Sequence, residues 1–260
     1  MRWHLLLTPP LDGADNMAID AALMARARRV GDGVVRVYSW AEPTLSLGRN
    51  QYARELYSAE RVRARALRVV RRATGGRALL HHREITYSVT APAHPQESLA
   101  RSYSAINALL LATLRTLGVD AQLAPRGERL PPPGSAPCFE RPAPGELMLA
   151  GRKLVGSAQY REQGAMLQHG SILVHDDQAI VAQLAGLEEE TVPAAATLFG
   201  ALGREPGPVE FAEALFAEVR RSWDADAYAL PLDPSVDPSL DAARRDARTR
   251  FLDDGWTWRR

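Results

Sequence analysis

Lysine is nearly absent from this chain. Of 32 lysine and arginine residues in a sequence of 260, only Lys153 is lysine. Cysteine is as scarce: Cys138 stands alone, which excludes an internal disulfide and fits a reducing, cytoplasmic setting. Long apolar runs are missing too. The longest, around Ala108–Leu114, is too short to span a bilayer, so no membrane association is expected. The N-terminal MRWHLLLTPPL has no small-residue cleavage site and does not read as a secretory signal. Net charge is only +1, which gives no global reason to expect a nucleic-acid partner. There is no internal repeat and no low-complexity linker. The expectation is one domain over 1–260, with 230–260 as a C-terminal helical extension and no separate accessory domain.

What is present has order. Asp15–Arg29 places Met17, Ile19, Leu23 and Met24 at helical spacing, with Asp15 or Asn16 as cap and Gly31–Gly33 as stop. Val34–Ser39 and Thr44–Leu47 read as strands and Glu55–Arg65 as a short helix. Leu67–Val70 and Ile85–Thr90 read as strands flanking RRATGGRALLHHRE. That stretch holds Gly75 and Gly76 among Arg71, Arg72, Arg77, His81 and His82, and it describes a hairpin turn as well as it describes a small-molecule site. Arg61–Arg83 carries eight arginines and no acidic residue, either a solvated face or a docking surface for an acidic partner. Ser98–Leu117 is a strong amphipathic helix, and Arg126–Pro144, rich in proline and glycine, excludes regular structure.

Glu146–Val174 reads as three antiparallel strands turning at Gly151-Arg152 and Glu162–Gly164, the third interrupted at His169-Gly170. Period-two alternation puts Lys153, Val155, Ser157 and Gln159 on one face, and Gly156 between them leaves room for close approach. His169 either satisfies a core position or lines the same pocket. Helices follow over Asp176–Leu187, Pro208–Ser222 and Asp241–Leu252, with Pro231–Leu240 extended. Strands and helices without βαβ alternation predict an α+β fold.

A surviving lysine in so arginine-rich a chain either marks a place where a compact, deprotonable point charge is wanted or is an accident of composition, and Cys138, 15 positions before it, is open to the same two readings, as a reactive thiol or a small buried hydrophobe. RRATGGRALLHHREITYSV and GRKLVGSAQYREQGAMLQHGSILV, with DNMAIDAAL and YSWAEPTLSLGRNQ, resemble the lipoate–protein ligase and octanoyltransferase family, relatives of biotin–protein ligases. The resemblance implies a mixed, largely antiparallel β-sheet packed by α-helices. Within the family it is closest to the cysteine-dependent transferases: Arg77 stands where ligases commonly carry a third glycine, and Cys138 precedes Lys153 in the GRK motif.

The implied reaction takes an octanoyl group from octanoyl-acyl carrier protein through a Cys138 thioester. It passes the group to a lysine of a lipoyl-carrier domain, such as glycine cleavage H protein or a 2-oxoacid dehydrogenase E2 domain. Lys153 would stabilise the thiolate and the developing oxyanion. Arg72, Gly75, Gly76, His81, Gly156, Ser157, Ala158 and His169 form the implied substrate-binding set, with no metal and no cofactor. The base for the acceptor amine is Lys153 or a histidine, and the sequence does not choose. An ATP- and magnesium-dependent lipoate ligase, a carrier-to-carrier amidotransferase and a silent binding module are the rival readings. One departure stands out: His82 occupies the place where these transferases carry an acidic residue after the histidine, which leaves His81 without an evident hydrogen-bonding carboxylate.

Overall fold

The computed structural model describes residues 1–93, 96, 98–125, 145–187, 193–233 and 235–260. Cys138 and the rest of the Pro/Gly-rich segment lie outside the described residues.

Strands β1 (Trp3–Leu7), β2 (Gly33–Tyr38), β6 (Glu84–Pro92), β7 (Gln122–Leu123), β8 (Leu147–Leu149), β9 (Arg152–Glu162), β10 (Ala165–Leu173) and β11 (Tyr228–Ala229) form one sheet in the order β11-β1-β2-β6-β10-β9-β8-β7. The β11–β1–β2 edge is parallel and the remaining neighbours are antiparallel. A smaller sheet joins β3 (Thr44–Leu47) to β4 (Arg68–Arg71) in parallel and to β5 (Leu79–His81) antiparallel. The α+β reading therefore holds, with a largely antiparallel sheet.

Alternation on β6 explains the layering. Ile85, Tyr87, Val89 and Ala91 pack with residues of α3 (Leu99–Thr116) and α6 (Pro208–Ser222) in the main core. Thr86, Ser88 and Thr90 point the other way, toward α1 (Gly13–Val30), and are also buried. Helix α7 (Pro238–Leu252) lies on α1, and α8 (Asp254–Thr257) closes against the smaller sheet.

Several boundaries differ from expectation for local reasons. Asp12 caps α1, not Asp15 or Asn16: its Oδ1 accepts from the Asp15 amide at 2.7 Å, and Asn16 is buried, donating to the Leu11 and Ser39 carbonyls. Helix α2 (Ala59–Ala64) and α4 (Ala179–Leu184) are shorter than their apolar patterns, while α7 begins at Pro238, capped by Asp237. Strand β1 has no alternation to read, because Trp3 through Leu6 are all buried. Strand β10 passes through His169-Gly170 unbroken. A Cβ at Gly170 would come within 2.6 Å of the Tyr87 ring, so the glycine is there for packing and not as a break.

The strands that flank the Gly-Gly stretch, β4 and β5, share the smaller sheet but lie on either side of β3, so no hairpin joins them. The stretch instead crosses β3, and its shape is fixed at one point of contact. A Cβ on Gly48 would lie 1.9 Å from the Gly76 carbonyl oxygen, whereas a Cβ on Gly75 would meet nothing within 4 Å. Gly48→Ala is thus expected to cost about 1–3 kcal/mol through forced backbone displacement, and Gly75→Ala to stay within about 0.5 kcal/mol of wild type. Paired thermal melts check this; equal melting temperatures for the two variants would contradict the contact.

Candidate functional site

Between the two sheets lies a small, partly open cavity of about 40 Å³. Its walls are Arg72, Gly76 and Leu79 from the Gly-rich stretch, His81 from β5, Gly156–Ala158 from β9 and His169–Ser171 from β10, with Met17 of α1 beneath. Seven of the sequence-predicted residues therefore meet at one place: Arg72, Gly76, His81, Gly156, Ser157, Ala158 and His169. Gly75 is not on the wall. Ser157 contributes backbone, since its hydroxyl lies on the opposite face, 2.8 Å from the Tyr87 hydroxyl.

Two histidines on the wall are held in the same way. His169 Nδ1 lies 3.2 Å from Asp20 Oδ2, and its Nε2 lies 2.6 Å from the Thr74 hydroxyl. His81 Nδ1 lies 2.7 Å from Glu84 Oε1, and its Nε2 lies 2.9 Å from the Ser46 hydroxyl. In the neutral ring, the carboxylate fixes the proton on Nδ1 and leaves Nε2 as the acceptor of the hydroxyl. Glu84 supplies the carboxylate that His82 does not, so the sequence departure costs His81 nothing. The imidazole of His81 also stacks on Trp40, centroid to centroid 3.9 Å, and Trp40 Nε1 donates to Thr86 at 2.8 Å.

Asp20 is the centre of the polar layer. Its carboxylate accepts from Arg36 at 2.8 Å, Ser88 at 2.8 Å and Tyr38 at 3.2 Å, besides His169. Burial alone would raise this carboxyl, but the bond from His169, the Arg36 guanidinium and Ser88 outweigh it and hold it below its ordinary range. Burial pushes His169 the other way, down from its ordinary value, helped by the charges of Arg72 and His81 and opposed by Asp20. Arg72 clamps the Gly-rich stretch: it donates to the Ser46 carbonyl at 2.9 Å, the Gly75 carbonyl at 2.9 Å and the Arg77 carbonyl at 2.7 Å.

Lys153 is not on the cavity wall. It is buried and paired with Glu146, Nζ lying 2.9 and 2.8 Å from the two carboxylate oxygens. Beside this pair, Tyr87 bonds Ser157 and Gln168, and burial drives its hydroxyl up to about 12. Where Cys138 lies relative to Lys153 falls outside the described residues. Sequence reasoning missed Asp20, Thr74, Ser46, Glu84 and Glu146. Glu146 had a signal, as a charged residue opening the strand next to the one that Lys153 opens. Asp20 and Thr74 had none, since their partners lie 149 and 95 positions away.

The arginine run is not one surface. Arg71 and Arg72 are interior, and Arg68 and Arg83 are ion-paired with Glu42 and Asp177. The eight arginines of Arg61–Arg83 therefore do not share one face, while Arg61, Arg63 and Arg65 remain exposed. Among the described residues no group of His, Cys, Asp and Glu is placed to hold a metal ion, and no helix is long and apolar enough to cross a membrane.

Comparison with known proteins gives three findings. Residues 12–219 match the family model described as the lipoyl protein ligase A/B catalytic domain. The octanoyltransferase LipM of Kyrpidia tusciae is 45% identical over 192 residues, covering 70% of each chain, and that of Brevibacillus brevis is 34% identical over 279 residues, covering 100% of this chain and 99% of the relative. Among solved structures, a lipoate-protein ligase A bound with ATP superposes with a TM-score of 0.79 at 20% identity, covering 99% of each chain. A bipartite lipoate protein ligase of Thermoplasma acidophilum, studied with its E2 lipoyl domain, superposes with a TM-score of 0.75 at 19% identity, covering 99% of this chain and 96% of the other.

The lowered values of His169 and Asp20 set the response to acid. Below pH 6.5 the unfolded chain protonates this imidazole while the buried ring resists, so the stability present above pH 6.5 is lost as pH falls toward the folded-state value. Asp20 acts with the same sign further down, contributing above pH 3.8 and losing that contribution as pH falls below it. The melting temperature is expected to fall between pH 7.5 and 5.5, and to fall less in His169→Gln. A melting temperature that rises on acidification would contradict the assignment.

Proposed function

This chain belongs to the lipoyl protein ligase A/B catalytic domain family, and on that premise we propose that it is the octanoyltransferase of a lipoate-forming route, working through a Cys138 thioester. The observation that carries the reading is the full-length likeness to an octanoyltransferase, supported by a single cysteine that lies 15 positions before the single lysine.

In the first half-reaction the Cys138 thiolate attacks the thioester carbonyl of octanoyl-acyl carrier protein. The new carbon–sulfur bond forms, and the carrier's thiol leaves with a proton. Lys153 acts as the cation that favours the thiolate and the oxyanion; its pairing with Glu146 suits that role better than the role of base. The octanoyl chain occupies the cavity between the sheets, where each buried CH₂ is worth about 0.8 kcal/mol. In the second half-reaction a lysine of a lipoyl-carrier domain attacks the acyl-enzyme, the amide forms and the thiol is regenerated. His169, kept neutral by burial and oriented by Asp20, takes the amine's proton. The route uses neither ATP nor a metal, and glycine cleavage H protein and E2 domains are the acceptors it fits.

Intact mass measured after mixing with octanoyl-acyl carrier protein, without ATP, is the direct test. One added octanoyl group is expected, released by hydroxylamine and absent in Cys138→Ala. Lys153→Ala should slow its appearance by 100-fold or more, on the order of the loss of one oxyanion donor. Turnover that requires ATP and survives Cys138→Ala would assign the chain to lipoate ligation instead.

A further inference from the structure

The face of β9 that turns Gly156 and Ala158 toward the cavity continues outward. The next residue on that face is Tyr160, about 7 Å along the strand. The guanidinium of Arg49 lies over the Tyr160 ring, 4.6 Å from its centroid. The Arg49 amide donates to the Thr74 carbonyl at 2.8 Å, so Arg49 sits just outside the stretch whose Thr74 hydroxyl meets His169 in the cavity. Arg259 donates to the Arg49 carbonyl, and its guanidinium lies 4.1 Å from the Trp256 ring; the Arg250 guanidinium lies 4.8 Å from the same ring.

These cations are poorly compensated. Among the described residues neither Arg250 nor Arg259 has a carboxylate at ion-pair distance, and Arg49 has only Glu162 at 3.9 Å. Asp246 and Asp253 share the adjoining groove, but Asp253 is engaged as the cap of α8, accepting from Gly255 at 2.8 Å. Burial and the neighbouring guanidiniums lower both Arg250 and Arg259, with Glu162, Tyr160 and Asp246 opposing this at Arg250, and burial with Arg259, Arg260 and Arg72 brings Arg71 behind them down to about 10. Like charges held together on aromatic faces, with rigid donor forks and few counter-charges, are preorganised for a multivalent anion.

We propose that Arg49, Arg250 and Arg259 form a phosphate-binding site at the mouth of the cavity. It takes the phosphate ester of the pantetheine arm whose thioester delivers the acyl group. The shared face of β9 is what ties the two: a substrate lying along it places its acyl chain against Gly156 and Ala158 and its phosphate beyond Tyr160. The proposal rests on the transferase reading above. A nucleotide phosphate has the same chemistry, and the experiment separates the two sources.

Calorimetric titration of the full chain with 4′-phosphopantetheine and with pantetheine isolates the phosphate. Wild type is expected to prefer the phosphorylated probe by roughly tenfold or more, the effect of one to two charge-assisted hydrogen bonds. In Arg250→Gln and in Arg49→Gln the ratio should fall toward one, with melting temperatures recorded to show that each variant is folded. Arg250→Lys should keep part of the preference, since charge remains and the fork is lost. Equal binding of both probes to wild type, binding of neither, or a ratio unchanged in the folded Gln variants overturns the site. ATP that binds more tightly than 4′-phosphopantetheine and displaces it reassigns the cluster to a nucleotide and overturns the proposal as stated. Failure of the transferase reading is distinct: wild type would then acquire no acyl group from octanoyl-acyl carrier protein, while the ratio of probe affinities still reports on the arginines.

Discussion

The carboxylate of Asp20 is the joint on which this structure turns. It is carried by α1, yet its donors come from three strands of the main sheet: Arg36 and Tyr38 on β2, Ser88 on β6 and His169 on β10. A carboxylate in so dry a place is tolerated only when its oxygens are fully engaged, and the guanidinium of Arg36 is equally dependent on it. Through His169 the joint reaches Thr74 and so fixes the Gly-rich stretch against the sheet. Helix, sheet and cavity wall are thereby positioned by one group, and on the polar face of β6 Ser88 donates to it and Thr86 to Glu84.

The cavity is walled by backbone as well as by side chains. Gly48 against the Gly76 carbonyl brings the loops into contact with no side chain between them, and Arg72 binds the carbonyls of Gly75 and Arg77 from inside. His81 and His169 then face the space from opposite sheets, each with a carboxylate behind it and a hydroxyl in front. Such doubly anchored rings are fixed in tautomer and orientation, which a site for a carbonyl centre needs and a merely apolar pocket does not.

Much of this was legible in the sequence and some was not. The β8–β10 meander follows from alternation and from the Gly151 and Gly164 turns, where φ is positive at 76° and 80°. Helix α3 follows from its apolar spacing. The wall residues came together because family resemblance grouped them, while Gly75, in the same motif, faces open space. Strand β1 was hidden because a strand buried on both faces has no period. The carboxylates were hidden for a different reason: Asp20 reads as the polar interruption of an alanine-rich helix, and nothing local reveals partners far along the chain. Even the departure at His82 was misleading, because the carboxylate that His81 requires enters three residues on, at Glu84.

The arginine bias of the composition turns out to have structural content. Of the four arginines buried among the described residues, Arg36, Arg71 and Arg72 use the breadth of the fork. Arg71 donates to the carbonyls of Gly48, Gln51 and Thr257 at 2.6, 2.9 and 2.8 Å, joining β4 to a loop and to the C-terminal turn. Arg72 binds the Gly-rich stretch, and Arg36 bonds Thr8, Asn16 and Asp20 together. An ammonium has neither the planar geometry nor the reach to serve several acceptors in one plane. Lys153 has the opposite task. It meets the carboxylate of Glu146, with both oxygens within 2.9 Å, as a compact charge between strands. Arginine therefore stands where one cation must organise several pieces of backbone, and lysine stands where one small charge is buried between strands against a carboxylate.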